Sequence, residues 1–184
     1  MSLRVISGTA KGRKLKSVPG DLTRPSTDRV KEALFNILSA DVIDSSWWDM
    51  FGGTGAVGIE ALSRGAAFVR FTELNRVPIE TIRNNLIATS FMPKAEVKQA
   101  DAFALLTSRP DRHFHSIYIA PPQFHELWFT ALLSLDTNIG WLAEDGWVIT
   151  QIAPKETKSM VLNTLIEFDQ RKYGSTMLVF YRRK

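Results

Sequence analysis

Asp49-Met50-Phe51-Gly52-Gly53-Thr54-Gly55-Ala56-Val57-Gly58 follows a short apolar run, 47–51, and opens a helical stretch, 56–64, stopped by Gly65. Gly53, Gly55 and Gly58 satisfy the G-x-G-x-x-G spacing. Between a strand and a helix, such a loop turns tightly and lets a ligand approach the backbone. Glu73 ends the next apolar run, 68–72. A carboxylate there can accept both hydroxyls of a ribose, so the pattern points to a nucleoside-containing cofactor without choosing one. A dinucleotide would rest its pyrophosphate on the helix N-terminus. Asp49, immediately before the loop, would repel a pyrophosphate and suits an ammonium group. This favours S-adenosylmethionine, whose amino-acid end carries an ammonium, over a dinucleotide. A glycine-rich turn without a ligand is the alternative.

Outward from this loop, strand and helix signals alternate. Strands are expected at 47–51, 68–72, around Val97, at 117–119, 146–152 and 177–181. Between them come helices at 56–64, from Pro78 with Ile79, Ile82 and Leu86 on one face, and at 102–106, 125–133 and 155–165. This alternation predicts an α/β fold, a mostly parallel sheet with helices on both faces and its ligand at the C-terminal strand ends. Asp101 follows the Val97 strand; it can accept the adenine amino group or cap the helix at Ala102. The candidate cofactor residues are therefore Asp49, Phe51, Gly52, Gly53, Thr54, Gly55, Gly58, Glu73, Leu74, Asn75, Asp101 and Ala102. Residues 1–45 form an N-terminal extension and 46–184 the cofactor-binding domain. In the extension, 4–7 and 13–18 read as a hairpin around the turn 8–12. A helix capped by Thr27 or Asp28 follows, with Val30, Leu34, Phe35 and Leu38 as its apolar stripe and Lys31 on the other face.

The 184 residues are 45% hydrophobic and include no cysteine, which allows a sizeable core and excludes disulfides, thiolate metal sites and a cysteine nucleophile. With no apolar leader at the start and no run of about 20 apolar residues, a cytoplasmic protein with no membrane contact is expected. His113, His115 and His125 have no metal-like partner set, so no metal is expected. The five tryptophans, 47, 48, 128, 141 and 147, read mostly as core. The net charge is +4, but unevenly spread. Residues 1–31 hold eight basic and two acidic side chains, and 171–184 five basic and none acidic, against 10 and 17 between them. A polyanion should meet the ends of the chain, unless both are merely solvated. Arg4, Lys11, Arg13, Lys14, Arg24 and Arg29 are the candidate RNA-binding cations. Asp28 can instead pair internally with Arg29.

Ala120-Pro121-Pro122-Gln123-Phe124 follows the 117–119 strand. The two prolines fix the chain and the directions of its carbonyls, and Phe124 can stack on a base. An ordinary proline-rich turn is the alternative. With the cofactor loop in the same sheet, these five residues are the candidate catalytic set.

The chain resembles the bacterial small-subunit (16S) ribosomal RNA guanine-N2 methyltransferase family, the RsmD-like enzymes. The resemblance spans nearly the whole chain. It is carried by Arg4-Val5-Ile6-Ser7-Gly8, Lys11-Gly12-Arg13-Lys14-Leu15, residues 24–36, Asp49 to Gly55 and residues 58–66. It implies a Rossmann-like, S-adenosylmethionine-dependent fold, a seven-stranded sheet with an antiparallel final strand, acting on ribosomal RNA or the small ribosomal subunit. Separately, a monomer is expected, with the oligomeric state left open by the sequence. The acid at Glu73 would bind the cofactor ribose and that at Asp101 would lie by the adenine. One departure falls at the chemistry: the family carries Asp or Asn before the two prolines, where this chain has Ala120. Asn75 is a milder departure, at a position often acidic in the family. A guanine amine is a poor nucleophile, because its lone pair is delocalised into the ring. The Pro121 carbonyl would remain as an acceptor for it, and the Gln123 amide oxygen is a candidate substitute for the missing side chain. Two other functions stay open: a ribosomal RNA-binding protein of the same fold with weak or no catalysis, and a nucleotide-dependent dehydrogenase.

Overall fold

Trp47 and Trp48 are adjacent and both fully buried, because successive side chains of a strand point to opposite faces and both faces of this sheet are covered. They lie on β1 (Ser46–Asp49) in the computed structural model, which describes residues 3–19 and 27–184. Arg24 therefore lies outside the described residues. The other strands are β2 (Phe68–Glu73), β3 (Ala95–Gln99), β4 (Phe114–Ile119), β5 (Leu142–Ile152), β6 (Leu165–Tyr173) and β7 (Thr176–Arg183). They form one seven-stranded sheet in the order β3-β2-β1-β4-β5-β7-β6. β1 to β5 run parallel, and β7 is antiparallel to both its neighbours.

The helices are α1 (Asp28–Leu38), α2 (Ala56–Ser63), α3 (Arg76–Ala88), α4 (Ala102–Thr107) and α5 (Leu127–Thr137). α1, α2 and α3 pack with Trp47, Phe71, Tyr118 and Ile149 on one face. α4 and α5 pack with Trp48, Ile117, Ile119 and Val148 on the other. The strand order reverses between β1 and β4, and in such sheets the ligand crevice lies beyond the C-terminal ends at that reversal.

The N-terminal extension docks on α2 and α3. Val5, Ala10 and Leu15 share the core of α1 and α2. The pairing expected of 4–7 with 13–18 is confined to a single bridge, Arg4 with Lys14, supported by Val5 N–H to the Arg13 carbonyl at 3.0 Å. Glu60 of α2, fully buried, accepts the Ile6 and Ser7 N–H groups at 2.8 and 3.0 Å. Asn85 of α3 accepts the Lys16 N–H at 2.7 Å and donates to the carbonyls of Lys16 and Thr54.

Two expectations are corrected. Lys31 is not on the outer face of α1: it is fully buried. It sits three and four residues before Leu34 and Phe35, hence on the same stripe. Its ammonium donates to the Arg4 carbonyl at 2.5 Å and lies 3.8 Å from Glu60; burial lowers its pKa against the pull of Glu60 and Asp28. The second correction is the helix over 155–165. Only a single turn, Pro154–Glu156, is helical there, and Leu165 begins β6. Asp136 at the end of α5 accepts the N–H groups of Asn163, Thr164 and Leu165, and β7 supplies β6 with a ladder. Val161, inside the expected helix, is 90% exposed.

Candidate functional site: a cleft at the β1 and β4 strand ends

The loop after β1 folds back on β2, with the Gly52 N–H donating to the Thr72 carbonyl at 2.9 Å. Gly55 caps α2 with φ +76, a conformation costly for any residue with a Cβ. Gly58 serves packing: a Cβ there would lie 2.3 Å from Cε1 of Phe71. α2 is thereby drawn against β2, and its N-terminus faces the strand ends.

A cleft of about 750 Å³ opens at this point, within the roughly 300–1,000 Å³ of small-molecule sites. Of the candidate cofactor residues, Asp49, Phe51, Gly52, Gly53, Thr54, Glu73 and Asn75 line it. Asp49 is 3% exposed. Burial pushes its carboxyl up to about 7, against the lowering effect of the Gly58 N–H bond at 3.3 Å and with a further push from Glu73. Glu73 is held by backbone donors on both sides: Gly53 N–H at 3.1 Å, and Leu74 and Asn75 N–H at 2.9 and 3.4 Å. The carboxylate is thus fixed between the glycine loop and the start of α3.

Gly55, Gly58, Leu74, Asp101 and Ala102 do not line the cleft. Gly55 and Gly58 act on the loop and its packing, and Leu74 is exposed. Asp101 caps α4, accepting the Phe103 N–H at 2.9 Å. The ring of Phe103 meets Phe51 edge-on, with centroids 6.0 Å apart.

On the other side of the cleft, Ala120, Pro121, Pro122 and Gln123 contribute to the wall. Phe124 does not; its side chain is 68% exposed. Phe124 and Glu126 both adopt positive φ, 66 and 53. Sequence reasoning missed the remaining wall: Thr27, Ala56, Val57, Pro78, Tyr118, Gln151 and residues 173–176. Tyr118 donates to Oε1 of Gln151 at 2.5 Å. Strand alternation in Ile117-Tyr118-Ile119 was a signal that Tyr118 faces away from its neighbours. The strand that precedes Gly174 was not read from the sequence, so the Gly174-Ser175 hairpin turn between β6 and β7 was missed with it.

The candidate RNA-binding cations divide. Lys11, Arg13, Lys14 and Arg29 are exposed. Arg4 is engaged by Asp28 at 3.1 Å, so the internal ion pair of Asp28 is with Arg4. At the C-terminal end, only Arg171 and Lys172 lie by the cleft, next to the β6–β7 turn. Arg182, Arg183 and Lys184 fall at the opposite edge of the sheet. There Arg183 donates to the Ile139, Leu142 and Ala143 carbonyls and Lys184 to that of Leu162. Those cations hold the fold together.

Sheet order and layers define a Rossmann-like α/β protein with the fold of the S-adenosylmethionine-dependent methyltransferases. Residues 3–182 match the family described as Conserved hypothetical protein 95. The chain is 34% identical over 184 residues to "Putative rRNA methyltransferase YlbH" of Bacillus subtilis, covering 99% of this chain and all of that one. It is 35% identical over 149 residues to "Ribosomal RNA small subunit methyltransferase D" of Escherichia coli, covering 81% and 74%. Among solved structures, "Putative methyltransferase yhhF" from Escherichia coli superposes with a TM-score of 0.87 at 30% identity, over 100% and 99% of the two chains. The chain belongs to this family, the RsmD-like proteins.

Proposed function

We propose that the protein transfers a methyl group from S-adenosylmethionine to the exocyclic N2 amine of a guanine in small-subunit ribosomal RNA. One observation carries this reading: two carboxylates, Asp49 and Glu73, flank the glycine loop in the same cleft whose far wall is the Pro-Pro loop. The cofactor fits the donor set. Asp49 is a carboxyl that burial raises to about 7, and the ammonium of the amino-acid end would favour its ionised form. Glu73, preset by three backbone N–H groups, would accept the ribose hydroxyls. The relatives named as ribosomal RNA methyltransferases support RNA as the substrate. When bound, the cofactor provides an activated methyl group on a sulfonium. The chain would hold the target amine: the Pro121 carbonyl would accept a hydrogen bond from one N–H and so help localise the lone pair. As the N–C bond forms the sulfonium C–S bond breaks, S-adenosylhomocysteine leaves, and the surplus N2 proton passes to water. Side-chain assistance of the general-base type contributes about 10²–10⁴-fold, and positioning up to ~7–11 kcal/mol. Ala120 removes part of the first and leaves the second. A base inside a duplex cannot reach such a cleft, so the target is a loop nucleotide or one turned out of its stack. Lys11, Arg13, Lys14 and Arg29 are assigned to the RNA backbone.

Ala120 also favours a second reading, an RNA-binding protein of this fold with little or no catalysis. Transfer of labelled methyl to naked ribosomal RNA and to small subunits, by the wild type and Ala120→Asp, separates the two. The first reading expects N2-methylguanosine in the digest from the wild type and a faster rate from Ala120→Asp. Binding without transfer by either protein would leave only the second.

A further inference from the structure

We propose that Glu156 is a positioning residue for the Pro-Pro loop, fixing the backbone carbonyls that must serve this chain in place of the side chain absent at position 120. The inference rests on the methyltransferase reading. The loop after β4 runs through two residues with positive φ, Phe124 and Glu126, neither of them glycine. Such a conformation persists only where the surroundings fix it. Contacts to both residues come from one short segment after β5. Glu156 spends its two carboxylate oxygens on two backbones: Oε1 accepts the Phe124 N–H at 2.7 Å and Oε2 the Ala153 N–H at 2.8 Å. Lys158 pairs with Glu126 and places its ammonium 5.3 Å from the ring of Phe129. Ala153 directly continues β5, so Glu156 ties the loop rigidly to the sheet rather than to another loop.

The consequence follows from Ala120. An Asp or Asn at that position could reach the target amine by rotating its own side chain. With alanine, the acceptors come from the loop backbone, and their direction is set by the φ and ψ of residues 120–124. A small misplacement of reacting groups costs a large factor in rate.

The test uses the full chain and Glu156→Gln, which keeps the side chain's size but has a single acceptor oxygen for two N–H donors. Four quantities are read: kcat and KM for methyl transfer to small-subunit RNA, the affinity for S-adenosylhomocysteine by calorimetry, and the hydrogen-exchange rate of the Phe124 amide by NMR. The expected result is a kcat at least tenfold lower, cofactor affinity within twofold of wild type, and exchange of the Phe124 amide at least tenfold faster. The kcat penalty should shrink in the Ala120→Asp background, where a side chain again supplies an acceptor. Unchanged kcat would overturn the proposal, as would a parallel loss of cofactor affinity, which would mark Glu156 as general scaffold. If the wild type transfers no methyl group, the enzyme reading fails on its own, and the Phe124 exchange rate still decides whether Glu156 holds the loop.

Discussion

Asp49 sits at the C-terminal end of β1, buried, with the Gly58 N–H as a hydrogen-bond donor, and its pKa is raised to about 7. A carboxyl whose folded pKa exceeds its ordinary value of 3.8 binds more protons folded than unfolded between those two values. Its contribution to stability is therefore fully present below 3.8 and lost as pH rises to about 7. Cofactor affinity should run the opposite way, because the ionised form meets the ammonium. We expect the melting temperature of the free protein to fall between pH 5 and 8 through this group, and the stabilising shift from S-adenosylhomocysteine to grow over the same interval. Asp49→Asn should flatten both trends in melts across that range. It should also weaken S-adenosylhomocysteine at least tenfold, in line with the roughly 1.5–3 kcal/mol of a hydrogen bond to a charged group. Gly58 gives a second prediction at this scale. Gly58→Ala gains up to about 1 kcal/mol of helix propensity but drives a methyl against Phe71, an overpacking cost of about 1–3 kcal/mol. Chemical denaturation should show a net loss of stability.

Among the elements, the N-terminal extension depends on buried polar anchors more than on strand pairing. Lys31 and Glu60 hold the backbone at Arg4, Ile6 and Ser7, while Arg64 bonds Glu60 at 2.8 Å. Removing one partner of a buried ion pair costs about 3–5 kcal/mol. Lys31→Ala should therefore lose about 3 kcal/mol in denaturant unfolding and make residues 3–16 the first site of limited proteolysis. Sequence reasoning placed Lys31 in solvent because charge outweighed spacing: the 31, 34, 35, 38 pattern already put it on the stripe. The 155–165 helix failed for the opposite reason. The anchor that decides the segment, Asp136, lies 27 and 28 residues from the Asn163 and Thr164 N–H groups it binds. Local pattern carries no trace of such a contact. The glycine loop was legible because its demands are local: a positive φ at Gly55, a close approach at Gly58 and an acid at the next strand end.

At the scale of the whole molecule, charge and topology have to be taken together. Parallel order places Asp49, Glu73 and the Pro-Pro loop on one edge of the sheet, and the sequence showed that much. It could not show that β7, running antiparallel, carries Arg182, Arg183 and Lys184 to the far edge, where two of them bond backbone carbonyls. Nor could it show that Tyr118, Gln151 and the β6–β7 turn complete the wall. Each RNA backbone contact contributes about 0.7 to the slope of log affinity against log salt for single strands. Replacing Lys11, Arg13 and Lys14 together with alanine should lower that slope by about 2 in filter-binding titrations, leaving S-adenosylhomocysteine affinity unchanged. The cofactor cleft underlies all of this, and calorimetric titration at pH 8 tests it most directly. The predicted result is one site for S-adenosylhomocysteine, no heat with NAD, and at least tenfold weaker binding in Glu73→Ala. Absence of binding by the wild type, or Glu73→Ala binding as tightly as the wild type, would contradict the account.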